Sequence, residues 1–456
     1  MPADRYRSRL FTPPARPLAP LRGLMTMARN PVDWWPARLY EEGIHSTRLR
    51  GRTFAHVALP DLARTVLLDE EGSFVRSFIL RHMLAPGMGE GLLTSDGARW
   101  RHQRKLVAPA FGHGATDACQ PLFDAHAIRC AARVRGLDGR TVAMLPQTTL
   151  TTLGIILETM FGDTDIALPT LARDIETYLF SLGRPDPLEI LGAPAFVPRP
   201  WRRRGLAAVV RLRALCRRVL EIKRVAGSPD GSLAGRLLDA LDPDTGKGLE
   251  DEAIVDNLMA FIGAGHETTS LALCWTLYLL AAQPALQQRL REEARSALGD
   301  GPIDDAALQR LDLHRRVLDE SMRLYPPLSA LVRSVARPLT LGGLELVPGD
   351  HVTVAVLPLH RNAALWPDPD AFDAERFRVE AIRTRDRFAY LPFGSGPRVC
   401  VASGFARAEA TTVLARLLLA CRFGPADGPP PKPVLRVTLR PTNGLPLKVS
   451  AVRDTA

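Results

Sequence analysis

Phe393-Gly394-Ser395-Gly396-Pro397-Arg398-Val399-Cys400 puts two glycines, an arginine and a cysteine into one octapeptide. Glycines at alternate positions permit tight turning and close backbone approach. The apolar-periodic run that follows, to about Leu419, predicts a long helix, so Cys400 stands at its mouth. Free N–H donors and the positive end of the helix dipole lower a thiol's pKa there. A thiolate in that place is a soft, electron-rich ligand. The other five cysteines, Cys119, Cys130, Cys216, Cys274 and Cys421, read as small buried hydrophobes. No two of the six have C-x-x-C spacing, which argues against a disulfide framework and for a reducing compartment.

Upstream, the longest helix is predicted from near Glu250 to Gln283-Pro284, apolar almost all round from Leu258 to Ala282. Its middle reads Gly263-Ala264-Gly265-His266-Glu267-Thr268-Thr269. Each glycine costs about 1 kcal/mol against alanine, and a buried carboxylate costs more unless paired. Local propensity is overridden in this way where function demands it. Residues 45–59 read as two short strands across Gly51-Arg52, and Pro60-Asp61 opens a helix through Asp69. Residues 96–241 read as mostly helical, with a Pro/Gly-rich break over 183–200. Past Pro326-Pro327 come strand-rich segments, Leu339 to Leu346 and His351 to Val356, then a loop-like stretch from His360 to Pro397. The order is small sheet, many helices, small sheet, helix.

The 456 residues carry 46% apolar and 24% charged side chains, enough for one large core and incompatible with a disordered or polytopic membrane chain. No apolar run reaches a membrane-spanning length. The net charge is +10, and residues 199–224 hold ten Lys/Arg against Glu221 alone. That stretch lacks interleaved aromatics beyond Trp201, so nucleic-acid binding is not expected. Its 202–223 portion reads as a helix with a wide basic face: a solvated face, or else a membrane-surface or lid element. Residues 1–30, with six arginines, Asp4 and Pro13, Pro14, Pro17 and Pro20, read as a Pro/Arg-rich lead-in to a single domain over 31–456. An organellar transit peptide is the alternative.

The loop resembles F-x-x-G-x-R-x-C, the haem-binding signature of the cytochrome P450 superfamily. Four more motifs stand in that family's order. Trp100…Arg104 resembles its W-x-x-x-R, and Ala264 to Thr269 its oxygen-activation motif. Glu320-Ser321-Met322-Arg323 resembles E-x-x-R, and Ala374-Glu375-Arg376-Phe377 resembles P-E-R-F. The resemblance spans residues 100–400. It implies a mainly α fold, a helical bundle around haem with small β-sheets near the N-terminus and after the E-x-x-R helix. Two positions depart from the pattern: Ala402 replaces the usual glycine, where an added methyl could displace the haem slightly, and Ala374 replaces proline.

The resemblance implies haem b with Cys400 as proximal thiolate and Phe393 beside the sulfur. Trp100, Arg104, Arg333 and Arg398 are implied to hold the propionates, where guanidinium suits carboxylate. Glu320, Arg323 and Arg376 are implied to form a structural charge network. Glu267 and Thr268 are implied to deliver protons to O2, with Gly265 letting the helix backbone open and His266 pointing away. Thr269 is expected to bond backward along its own helix. The implied activity is monooxygenation of an apolar lipid, fatty acid or terpenoid-like molecule by a cytoplasmic monomer. Electrons would come from NAD(P)H through a separate ferredoxin or flavodoxin and its reductase, since the chain ends soon after its last strands. A peroxide-driven peroxygenase and a non-catalytic haem sensor or carrier are the alternatives; the Glu267-Thr268 pair argues against both. Pocket walls are expected from residues 77–93, 178–182, 261–264 and 328–331. Arg99, Arg101, Lys105 and Arg407 are expected to face outward toward an acidic electron donor.

Overall fold

The computed structural model describes residues 6–7, 12–15, 29–162, 168–182, 200–226, 231–299 and 301–453, together with positions 23, 25, 26 and 197. The predicted lead-in and the 183–200 break therefore lie largely outside the described residues. Helices dominate, and the described chain divides into two compact units: Val75–Ala115 with Thr152–Glu267, and Met1–Phe74 with Thr116–Thr151 and Thr268–Ala456.

In the larger unit the two predicted strands form, Ile44–Leu49 and Arg52–Val57, antiparallel with Ile44 opposite Val57. Arg52–Val57 then pairs parallel with His351–Ala355, which pairs antiparallel with Ala330–Val335 and sets Arg333 opposite Val352. The helix Pro60–Leu68 begins with proline at its first turn and stops where Asp69 turns left-handed, φ 49°. The Asp69 carboxylate accepts the Ser73 amide at 2.6 Å, which fixes that exit. The final helix, Ser403–Ala420, lies against Gln120–Arg135. Phe123 meets Phe405 edge-on at 4.7 Å, Gln120 donates to Thr412 at 2.8 Å, and Arg416 grips Asp124 with two bonds of 2.6 and 2.7 Å. A second sheet joins Thr141–Ala143, Pro446–Ala451 and Cys421–Pro425. Its first strand, three residues long, is too short to carry a period-two pattern, and the sequence reading placed it within helix.

The central helix runs Asp251–Ala281, roughly 46 Å at about 1.5 Å per residue. Asp251 and Glu252 favour its positive end, and the next helix starts with Pro284. It passes from the smaller unit to the larger between Glu267 and Thr268. In the larger unit Trp275 is fully buried, stacks on Tyr325 at 4.2 Å and donates to the Leu439 carbonyl at 3.0 Å. Among the described residues no helix is long and apolar enough to cross a membrane.

The basic helix, Pro200–Ala226, belongs to the smaller unit, and much of its charge is paired there. Arg211 bonds Asp174, Arg213 bonds Asp256 at 2.7 Å and Glu252 at 2.6 Å, Arg217 bonds Glu252, and Arg224 bonds Asp251. The wide basic face is thus in good part an ion-pair seam onto the start of the central helix.

Candidate functional site

The cysteine loop is built by backbone geometry. The Cys400 amide donates to the Phe393 carbonyl at 2.9 Å, and the Gly394 amide to the Leu391 carbonyl at 3.1 Å. Gly394 and Gly396 both take φ +72°, which favours glycine. A Cβ on Gly396 would fall 2.2 Å from the Leu67 carbonyl oxygen. Cys400 is the exposed cysteine of the six; Cys119 is half-buried and the other four are buried. Burial pushes the Cys216 and Cys421 thiols up to about 12. The final helix starts three residues after Cys400, capped by Ala402 at φ −102° and ψ 25°. Any L-residue takes that φ, so alanine at the usual glycine position brings no backbone strain.

A buried polar frame, which the sequence reading foresaw only in part, backs this loop. Glu320 and Arg323 are fully buried and joined by two bonds of 2.7 and 2.8 Å. Arg323 also donates to the carbonyls of His360, Pro369 and Ala371. Arg376 approaches Glu320 at 3.5 Å and donates to the Pro367 and Asp368 carbonyls. The predicted network is present, and removal of either central charge would strand its partner. His360, fully buried, accepts the Leu391 amide at 2.8 Å through Nε2. Burial and the nearby Arg323 charge pull its pKa down to about 3, so it stays a neutral acceptor. Nothing in the sequence flagged His360, because its partner lies 31 residues away and is a backbone group.

The other predicted residues fall as follows. Arg398 is half-buried in the turn Gly396–Arg398, and Arg333 is 9% exposed on its strand. Trp100 and Arg104, in the smaller unit, are half-buried and four apart on the helix Gly97–Val107, hence on one face. Of the basic residues expected to face outward, Arg99, Arg101 and Lys105 are exposed and Arg407 is half-buried, but three of the four have acidic partners. Arg99 bonds Glu90 at 2.6 Å, Lys105 bonds Asp242 at 2.8 Å and also Asp244, and Arg407 bonds Asp319 at 2.6 Å. The Lys105 ammonium holds the Asp242 carboxyl well below the usual carboxylate range. Arg101 alone of the four is exposed with no such ion pair among the described residues. Acids at distant positions neutralise the rest.

On the central helix Ala264, Gly265 and Thr268 are half-buried, whereas His266, Glu267 and Thr269 are buried. Ala264 and Thr268, one turn apart, share a face. The absent Cβ of Gly265 would lie 3.1 Å from Ile156, so this glycine serves close helix packing, a role the sequence reading did not give it. His266 sets Nδ1 2.6 Å from the Ile262 carbonyl, and its own carbonyl accepts Thr152 at 2.8 Å. The Thr269 hydroxyl also bonds the buried Glu409 of the final helix, whose carboxyl burial raises well above the usual range. Several expected pocket walls are packed core. Tyr178 is 2% exposed and donates to the Leu84 carbonyl at 3.2 Å, and a Cβ on Gly87 would fall 2.4 Å from its ring. Phe261 meets Phe111 edge-on at 5.2 Å. Leu328, Ala330 and Leu331 remain half-buried. The side chains of residues 179, 180 and 182 lie outside the described set.

The residue set fits a haem: an exposed cysteine in a glycine-shaped loop, arginines for carboxylates, and a half-exposed hydroxyl beside a buried acid. Known proteins agree. Cyclooctatin synthase of Streptomyces melanosporofaciens is 30% identical over 98% of this chain and 97% of its own length. Cyclooctat-9-en-7-ol 5-monooxygenase of the same organism is 31% identical over 91% of this chain and 92% of its own. The crystal structure of the cytochrome P450DA heme domain superposes with a TM-score of 0.86 at 27% identity, covering 98% of this chain and 99% of that one. The family profile described as Cytochrome P450 matches residues 17–449, and this chain belongs to that family of haem-dependent monooxygenases.

Proposed function

We propose that residues 31–456 act as one haem-thiolate domain that inserts one oxygen atom from O2 into an apolar small molecule of lipid, fatty acid or terpenoid type. Cys400 carries this reading, being the exposed cysteine, held by its amide to the Phe393 carbonyl. In it Cys400 supplies the thiolate, Phe393 backs the sulfur, and Trp100, Arg104, Arg333 and Arg398 hold the propionates of haem b. The bound haem supplies O2 activation by stepwise electron uptake. Thr268 Oγ donates a proton toward the half-buried face it shares with Ala264, and the Glu267 carboxyl returns one to it and is itself reprotonated from solvent; a buried acid can relay protons without admitting bulk water. A relative named for acting on an alkenol of a carbocycle, cyclooctat-9-en-7-ol, supports a hydrocarbon-rich substrate. We further propose that electrons reach the site from NAD(P)H through a separate ferredoxin or flavodoxin and its reductase. The lack of a disulfide among the six cysteines supports a reducing compartment such as the cytoplasm.

The test is turnover of carbocyclic alkenols and fatty acids by the haem-loaded protein. Oxygenated product is expected with NAD(P)H, a ferredoxin and its reductase under 18O2, with label incorporated. Product only with hydrogen peroxide would mark a peroxygenase. No product under either condition, with haem bound, would leave a sensor or carrier.

A further inference from the structure

Arg407 lies in the final helix seven residues beyond Cys400. Its guanidinium carbon sits 5.0 Å from the centroid of the Phe393 ring, and the Phe393 carbonyl in turn accepts the Cys400 amide at 2.9 Å. On its other side Arg407 Nη1 is 2.6 Å from Asp319 Oδ1. The half-buried Tyr390 donates its hydroxyl to the same carboxylate oxygen at 2.9 Å, and that hydroxyl sits 2.8 Å from the Asp319 carbonyl. Asp319 is 13% exposed at its side chain and precedes Glu320 of the buried network. Cation and anion are therefore both held in place, with the cation nearer the cysteine loop. Attraction between a cation and a ring face fixes Phe393 beneath Arg407. The Asp319 charge is largely enclosed, whereas the Arg407 side chain is 37% exposed and is partly screened by solvent, so its effect depends on its closeness to Phe393 and the cysteine loop.

We propose that Arg407 and Asp319 form a charge couple that sets the reduction potential of the haem iron that Cys400 would hold, with Arg407 acting through Phe393 as a positioning residue and Asp319 offsetting its charge. This rests on the haem-thiolate reading of Cys400. One-electron reduction of that iron from ferric to ferrous, with dithionite as the donor, would add one unit of negative charge and make or break no bond. A neighbouring cation favours the reduced form and a neighbouring anion opposes it. Removing Arg407 leaves Asp319 uncompensated, and removing the Asp319 charge leaves Arg407 uncompensated. The two changes must move the potential in opposite directions.

The experiment is a spectroelectrochemical titration of the haem-loaded full chain with dithionite and ferricyanide as reductant and oxidant. Arg407→Met is expected to lower the reduced-to-oxidised ratio at fixed potential by about tenfold, about 59 mV more negative for one electron. Asp319→Asn is expected to shift the potential positive, the double variant to return near wild type, and Arg407→Lys to keep most of the wild-type value. Shifts of the same sign in the two single variants, or no shift in either, would overturn the couple and leave Arg407 a purely structural residue. Should Arg407→Met not fold, an unmoved potential in Asp319→Asn overturns it alone. A wild-type ferrous–CO spectrum lacking the red-shifted thiolate band would overturn the reading of Cys400 and the couple with it, so the two failures are separable.

Discussion

Gly396 and Leu67 stand so close that a single methyl cannot come between them: a Cβ on Gly396 would lie 2.2 Å from the Leu67 carbonyl oxygen and 3.0 Å from its carbonyl carbon. The obstacle is backbone, at the end of the helix Pro60–Leu68, and cannot swing aside as a side chain could. The positive φ of Gly396 adds its own penalty for any L-residue. Gly396→Ala should therefore destabilise the protein by at least about 2 kcal/mol. Gly404→Ala, in the first turn of the final helix with nothing within 4 Å, should instead be neutral or stabilise by up to about 1 kcal/mol. Denaturant midpoints compare them; equal stability in the two variants would refute the close-approach account.

The glycine spacing and the helix behind it were legible because both are local. The same holds for the strands Ile44–Leu49 and Arg52–Val57, which alternate around a turn, and for the central helix, bounded by Asp251 and Pro284. What sequence did not reveal is where long side chains end. Lys105 looked free in a run of basic residues, yet its acids lie 137 and 139 positions away. Arg407 looked unpaired, yet it bonds Asp319, 88 positions distant. The bond from Thr269 to Glu409 was not legible either, because that acid stands 140 positions away on another helix. Charge pairing is a tertiary fact, and counting basic residues in a window overstates the charge a partner meets.

The six cysteines divide by environment. Cys400→Ser should remove the red-shifted ferrous–CO band that marks thiolate coordination. Serine at Cys119, Cys130, Cys216, Cys274 or Cys421 should each leave that band in place. Burial raises the thiols of Cys130, Cys216, Cys274 and Cys421, which keeps them protonated and poor ligands. An unchanged band in Cys400→Ser would disprove its role as ligand.

The adjacent threonines should separate cleanly. Thr268→Ala should leave substrate affinity nearly intact and divert NAD(P)H electrons into released hydrogen peroxide, lowering product formed per NAD(P)H. Thr269→Val removes the hydroxyl bonded to Glu409 and should cost about 1–3 kcal/mol of stability while the product ratio holds. Coupling ratio and denaturant midpoint measured on both variants decide it. A wild-type ratio in Thr268→Ala would remove that residue from proton delivery.

His360 gives stability a pH dependence whose sign follows from its burial. Its ordinary pKa is 6.5, and in the folded chain burial, with the Arg323 charge beside it, lowers that to about 3. Below pH 6.5 the unfolded chain binds a proton at this site that the folded chain refuses until about pH 3. Stability from this group is therefore complete above pH 6.5 and is lost as pH falls between those values, by about 1.4 kcal/mol per pH unit. His56, also buried and also lowered to about 3, acts with the same sign. Glutamine at 360 can still accept the Leu391 amide through its side-chain oxygen but cannot take up the proton. His360→Gln should accordingly lose about 1 kcal/mol at pH 8 through imperfect replacement of that bond. Between pH 6 and pH 4.5 it should lose stability more slowly than wild type, so the two curves converge or cross. Background carboxylates and His56 are common to both proteins and cancel in the difference. Denaturant midpoints at pH 8, 6, 5 and 4.5 give the two slopes; parallel curves would mean that His360 is not the buried neutral acceptor its bond to Leu391 makes it.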